Sequence, residues 1–303
     1  MGRAFAMLLG MFALAACGTR DRGECAPLRV LLIPADGGTE SGTLADYRPI
    51  FDAVGRQTGT RFDLTVAQSY AAVVEAICGG GADIAFVGPA TYLQADARGC
   101  AELLAVAVKG GRSVYYSGLF VHADAPIMSV SDLRGRRVAL GDVNSTSSFI
   151  LPVTMMMEAG LNPARDLAEV RITGSHVNSL SALAAGHVDA AALSLVSYER
   201  AVREGVPGAD RLRLLARSGP IPYPPLIVSR RLSEDRRRRL RDAFDHVADA
   251  PGVRSEMIRG YGGGAVDGYD GHFPRERFRP MAQKMAMVSD TLKGELLRLS
   301  AER

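Results

Sequence analysis

The chain has 303 residues, is 47% hydrophobic and 23% charged, and carries a formal net charge of +3. That length allows two ordinary domains or one large one, and the composition excludes a disordered chain. The 36 basic residues include only three lysines, Lys109, Lys284 and Lys293, and no basic patch is interleaved with aromatics, so no nucleic-acid partner is expected.

Arg3 precedes the apolar run AFAMLLGMFALAA, which is too short for a comfortable membrane span. The run ends in LAAC, residues 14–17. Small residues before a cysteine resemble the bacterial lipobox. The resemblance implies a signal peptide over 1–16, lipidation of Cys17 and a polar tether over 17–25. The rest is then a body outside the cytoplasm, in the periplasm or cell envelope, held to a membrane by its lipid anchor. Disulfides form in such a compartment. Cys78 ends one helical pattern and Cys100 follows the next, so a bridge between them is expected, stabilising by roughly 3 kcal/mol. Spacing alone does not fix the pairing, and Cys25 is left over. No Cys-x-x-Cys or His-rich spacing calls for a metal, and no cofactor is expected.

From Leu28, LRVLLIP reads as a buried strand. TLADYRPIFDAVGRQTG places apolar residues at 44, 47, 51 and 54, one face of a helix that stops near Gly59. RFDLTVA is a strand, SYAAVVEAICGGG a helix with a glycine stop, and ADIAFVG a strand. The alternation predicts an α/β fold with largely parallel pairing. The unit starting at Ser69 recurs without gaps from Ser175: Gly80 matches Gly186, Asp83 matches Asp189, and Tyr92 matches Tyr198. Two copies imply two lobes with a cleft between them. The stretches SVYYSGLFV and GPIPYPPLIV are then the crossings, with 26–120 and 221–303 in lobe 1 and 121–220 in lobe 2. In open α/β sheets ligands sit at the carboxyl ends of strands, where Tyr70 and His176 stand in the two copies. Further on, Ser233 caps a helix that buries Leu240, Phe244 and Val247, and Arg236 to Arg239 read as its solvated surface.

GDVNSTSSFILP, residues 141–152, gathers Ser145, Thr146, Ser147 and Ser148 where a helix begins. Unpaired amides and the helix dipole favour an anion there, and the hydroxyls add donors. The alternative is a capped turn with spare serines. Pro152 lacks an N–H, so the helix is either kinked or short at that point.

SYAAVVEAICGGGADIAFVGPATY, YYSGLFVHADAPIMSVSDLRGRRVALGDVNSTSSFILP, GSHVNSLSALAAGHVDAAAL and GPIPYPPLIVSRRLSED, in this order, resemble the phosphonate/phosphite/phosphate-binding proteins of ABC transporters. The resemblance implies a two-lobed type II periplasmic-binding fold and delivery of ligand to a membrane permease. It also implies that Ser145, Thr146, Ser147 and His176 meet a tetrahedral oxyanion, with Tyr70, Tyr115 and Tyr223 lining the pocket. Relatives that hold an aminoalkylphosphonate place carboxylates where this chain has Val196 and Tyr223. A buried ammonium without a counter-charge is costly, so phosphate, phosphite or a small alkylphosphonate is expected. Two other readings stand beside this one. Ser147, His176 and Asp189 supply the residue types of a catalytic triad, but no Gly-x-Ser-x-Gly elbow surrounds a serine, and no enzyme is expected. The protein is expected to act as a monomer, and reporting its ligand to a membrane sensor kinase instead of feeding a permease is the second alternative. An arsenic oxyanion in the form of arsenite would favour free thiols at Cys78 and Cys100.

Overall fold

The computed structural model describes residues 26–34 and 40–302. The signal-peptide and lipidation readings, including Cys17, lie outside the described residues. The first lobe opens with β1 (Leu28–Leu32), α1 (Glu40–Thr58), β2 (Phe62–Val66), α2 (Tyr70–Gly79), β3 (Ile84–Phe86), α3 (Pro89–Ala97) and β4 (Ala101–Val108). A short β5 (Val114–Tyr115) leads into the second lobe. That lobe holds β6 (Ser117–His122), β7 (Arg137–Leu140), α4 (Leu151–Glu158), β8 (Glu169–Ile172), α5 (His176–Ala184), β9 (Ala190–Ser194), α6 (Leu195–Arg203) and β10 (Leu212–Arg217). The chain returns through β11 (Ile221–Pro222), which pairs antiparallel with β5, and adds β12 (Pro225–Ser229), α7 (Glu234–Asp245), β13 (Gly268–Asp270), α8 (Arg279–Met287) and α9 (Asp290–Ala301).

The larger sheet has the order β13-β4-β12-β3-β1-β2 and the smaller one β10-β6-β9-β7-β8. Pairing is mixed rather than largely parallel. Strands joined through a helix, β1 with β2 and β3, and β7 with β8 and β9, run parallel. The strands beside each crossing, β12 and β6, enter their sheets from the other lobe and run antiparallel to their neighbours.

Apolar periodicity sets the packing. Tyr47, Ile50, Phe51 and Val54 of α1 are buried on one face. Phe51 meets Phe62 at 5.1 Å and Phe244 of α7 at 5.4 Å, both edge-on. A fully buried Phe of this kind stabilises by about 1.5–3 kcal/mol. Cys78 and Cys100 form a disulfide with a Cα–Cα distance of 4.8 Å, tying the end of α2 to the residue after α3's final turn. The thiol pair that arsenite would need is thereby occupied.

Two expectations are corrected. Residues 221–303 do not all join the first lobe. Ser300 Oγ of α9 accepts from Ile172 N–H at 2.8 Å, so the last helix lies on the edge strand of the smaller sheet. Its partner is β8, more than a hundred residues earlier, which no local pattern could reveal. The arginine run is not uniformly solvated either. Arg237 turns back to Glu102 at 2.9 Å, and Arg241 shares that carboxylate, also at 2.9 Å. The acid on β4 gathers them.

Candidate ligand-binding site

The carboxyl end of β7 delivers the chain to Gly141. A Cβ there would stand 2.1 Å from Ser148 Oγ, so only glycine lets the following turn fold back so closely. Ser145 is extended, and its Oγ accepts from Ser148 N–H at 3.3 Å and from Ser148 Oγ at 2.8 Å. Thr146–Ile150 then form a π turn, in which Ile150 N–H donates to Ser145 O at 3.0 Å. Such turns widen a helix locally and recur at functional sites. The α-helix proper starts only at Leu151, next to Pro152. The proline cannot serve the carbonyls of Ser147 or Ser148. Ser117 Oγ donates to the first at 2.6 Å and Gly141 N–H to the second at 2.9 Å. The expected short helix is thus preceded by a wider turn whose carbonyls are met from two other segments.

This opening is almost closed to solvent, with Ser145, Thr146 and Ser147 each 1–2% exposed. The amides of Thr146 and Ser147 find no acceptor among the described residues, as is usual for the first amides of a helix. The hydroxyls of Ser145 and Thr146 are already engaged as acceptors. Thr146 Oγ1 takes the Ala90 N–H of α3, in the other lobe, at 2.9 Å. A hydroxyl that accepts from an N–H keeps its own proton to donate. The turn therefore presents a convergent set of donors.

Other bonds cross the cleft beside it. Gln94 Nε2 donates to Asn144 Oδ1 at 3.1 Å, and Tyr70 N–H, at the start of α2, donates to Asp142 Oδ2 at 3.2 Å. Burial pushes the Asp142 carboxyl above its usual range, while the amides of Asn144 and Tyr70 pull the other way. Gly88 separates Tyr70 from Thr146: a Cβ there would lie 3.4 Å from Thr146 Oγ1 and 3.8 Å from the Tyr70 ring.

His176 starts α5 and is fully buried. Its Nδ1 accepts from Ser194 N–H at 3.1 Å, so the neutral ring carries its proton on Nε2. Nε2–H donates to the hydroxyl of Tyr261 at 2.9 Å. Burial pushes the His176 pKa down to about 3. Tyr261 comes from the first lobe, in the loop after α7, and its ring sits 5.3 Å from Tyr115 and 6.4 Å from Tyr223. On the same side Arg200 of α6 pairs with Asp46 of α1 at 3.0 Å, a partly buried bridge between the lobes.

The structure places the seven residues singled out in the sequence in two groups at the boundary of the lobes: Ser145, Thr146 and Ser147 at the turn with Tyr70 beside them across Gly88, and His176, Tyr115 and Tyr223 around Tyr261. Tyr261 was missed. Its signal was the stretch GYGGG, in which Gly262 and Gly263 both take positive φ, 75° and 66°. A Cβ on Gly262 would be 2.4 Å from Val196 Cγ1, and one on Gly263 would be 2.4 Å from Asp46 Oδ2. Only glycines let this loop press so far into the cleft. Asp189 does not orient His176; it is held by Arg137 at 2.7 Å. Outside this boundary, Asp245, Asp270 and the exposed His272 bring potential metal-ligand atoms within 4.8 Å of one another.

A family model described as "ABC transporter, phosphonate, periplasmic substrate-binding protein" matches residues 38–259. The phosphate-import protein PhnD of Mycolicibacterium smegmatis is 30% identical over 190 residues, 58% of this chain and 59% of that protein. The phosphonates-binding periplasmic protein of Escherichia coli is 25% identical over 218 residues, 70% of this chain and 64% of that protein. In both cases the match spans under two thirds of the relative's length. The binding-protein component of an ABC phosphonate transporter from Pseudomonas aeruginosa has the same two-lobed fold. Its TM-score is 0.73 at 22% identity, covering 91% of this chain and 98% of that one. The family match runs through both lobes and includes the π turn and His176, which both belong to the second lobe, and the chain belongs to the phosphonate family of periplasmic substrate-binding proteins of ABC transporters.

Proposed function

We infer that the protein binds a small tetrahedral oxyanion outside the cytoplasm (phosphate, phosphite or a small alkylphosphonate) and delivers it to the permease of an ABC transporter. In this reading residues 1–16 are removed and Cys17 carries the lipid anchor. The observation that carries the inference is the donor set at the start of the π turn: two amides without acceptors among the described residues and two hydroxyls whose oxygens already accept. Donors converging in a buried, water-poor cleft suit an anion and repel a cation. Ser145, Thr146 and Ser147 take the anion from one side. His176 stands in the same lobe as that turn, and Tyr70, Tyr115 and Tyr223 shape the other side.

No carboxylate stands at Val196 or Tyr223, and Val196 is covered by the backbone of Gly262. A ligand bearing an ammonium group would lose its hydration there without a counter-charge. Calorimetric titration of phosphate, phosphite, methylphosphonate and 2-aminoethylphosphonate into the purified protein tests the reading. At least one of the first three is expected to bind more tightly than the fourth. Tightest binding of 2-aminoethylphosphonate, or no binding of any of them, would overturn it.

A further inference from the structure

We propose that the Asp46–Arg200 ion pair is a reversible clasp between the lobes, which governs how readily the cleft opens and so how long a ligand stays in it. Its effect on release rests on the oxyanion reading above, whereas its effect on opening does not.

The pair spans the boundary. Asp46 stands on α1 of the first lobe and Arg200 on α6 of the second, and Arg200 Nη1 donates to Asp46 Oδ2 at 3.0 Å. The two side chains are only 13% and 12% exposed, so water and salt screen their attraction less than at the surface. Gly263 makes room for them. A Cβ there would lie 2.4 Å from Asp46 Oδ2 and 2.8 Å from Arg200 Nη1, and its φ of +66° favours glycine on its own account.

Each charge also keeps a partner in its own lobe. Asp46 Oδ1 faces Arg259 Nη1 at 3.5 Å, and Arg200 Nε donates to Glu204 Oε1 at 2.8 Å. A shielded pair that is simply broken strands a bare ion at heavy cost. Here, parting the lobes leaves Asp46 with Arg259 and Arg200 with Glu204. The contact can therefore be made and unmade, which suits a clasp and not a permanent strut.

The turn at Ser145 to Ser147 is shut. Its three residues are 1–2% exposed, and Thr146 Oγ1 is covered by the Ala90 N–H of the other lobe. An anion reaches or leaves these donors when the lobes part about the paired crossings β5 and β11. That motion separates Asp46 from Arg200. Both are then positioning residues, acting on the ligand through the lobes that carry them.

Two amides report opening directly. Tyr70 N–H and Ala90 N–H stand in the first turns of α2 and α3 and donate across the boundary, to Asp142 and Thr146. Hydrogen–deuterium exchange of the ligand-free protein, read at these amides by NMR, is expected to quicken by at least about fivefold in Asp46→Asn and in Arg200→Gln. The double variant should exchange no faster than the quicker single, since the same contact is lost in each. Glu204→Gln, which leaves the clasp itself intact, should quicken neither amide. Stopped-flow displacement of whichever of phosphate, phosphite and methylphosphonate binds tightest should show dissociation faster by a similar factor in the two single variants. Unchanged exchange at Tyr70 and Ala90 in both single variants would overturn the proposal. So would faster exchange spread evenly through the strands of both sheets, the mark of general destabilisation, or an unchanged dissociation rate. If none of the three anions binds the parent, the oxyanion reading fails, and exchange at the two amides still decides whether the clasp holds the lobes.

Discussion

The unit from Ser69 to Tyr92 and its counterpart from Ser175 to Tyr198 share a frame and differ in how the second helix is capped. In each, a serine with extended backbone caps the first helix: Ser69 Oγ accepts from Ala72 N–H at 3.2 Å and Ser175 Oγ from Asn178 N–H at 3.2 Å. In each, an aspartate before the strand takes an arginine from the parallel neighbour, Asp83 with Arg29 at 3.1 Å and Asp189 with Arg137 at 2.7 Å. The copies part at the next helix. Ser194 caps α6 with its own hydroxyl, accepting from Ser197 N–H. The matching residue is Gly88, which has none, and α3 receives its hydroxyl from Thr146 in the other lobe. Glycine also leaves the space Thr146 occupies. A helix left uncapped by its own segment is completed by a residue of the other lobe, so the copy that looks poorer ties the two lobes together at this point.

The disulfide gives the largest expected effect on this comparison. The first copy has Cys78 and Cys100, and the second has Ala184 and Val206 at the matching places. Replacing both cysteines by alanine should cost about 3 kcal/mol. Differential scanning calorimetry should then show a melting temperature lower by roughly 6–12 °C. Little change would mean that the bridge adds no constraint to the first copy.

A smaller effect follows from the first residue of each leading helix, Tyr70 in one copy and His176 in the other. Above about pH 6.5 the imidazole is neutral in both folded and unfolded chains. Below it, the unfolded chain takes up a proton that the buried His176 refuses until about pH 3. Stability should fall as pH drops through that window, by up to about 1.4 kcal/mol per pH unit from this group. Urea unfolding of the parent and of His176→Gln between pH 7 and pH 4.5 checks this. The two curves should converge toward low pH, and parallel curves would mean that His176 titrates normally.

The smallest effect concerns the shared feature. Ser69→Ala and Ser175→Ala each remove one side-chain cap and should each cost about 1 kcal/mol. Equal losses in chemical denaturation would confirm that the frames are equivalent. A loss confined to one would show that the caps differ in ways their geometry does not reveal.

Much of this was legible in the sequence because it is local. The strand–helix alternation, the glycine stops, the duplicated unit and the hydroxyl cluster at 145–148 each reflect contacts within a few residues, or a repeat that displays itself twice. What escaped depends on distant partners. Tyr261 lies 85 residues from His176, and nothing beside it in the chain announces the imidazole. The placement of α9 depends on the edge of β8, and the fate of Arg237 on Glu102. The mixed pairing escaped for a related reason, since β6 and β12 owe their direction to the crossings. Pro152 was read as a defect in a helix. The π turn before it and the donors from Ser117 and Gly141 became visible only once three segments had come together.

The central claim is that the opening of the π turn holds the ligand. Phosphate and methylphosphonate titrated calorimetrically into the Ser145→Ala, Thr146→Ala, Ser147→Ala triple variant test it most directly, once circular dichroism and melting have shown the variant to be folded. The change removes three hydroxyls and keeps the amides. Hydrogen bonds to a charged partner contribute roughly 1.5–3 kcal/mol each, so the better-bound anion should lose at least about a hundredfold in affinity even if the amides compensate in part. A folded triple variant that binds as tightly as the parent would mean that these residues only cap a turn, and that the anion is held elsewhere or not at all.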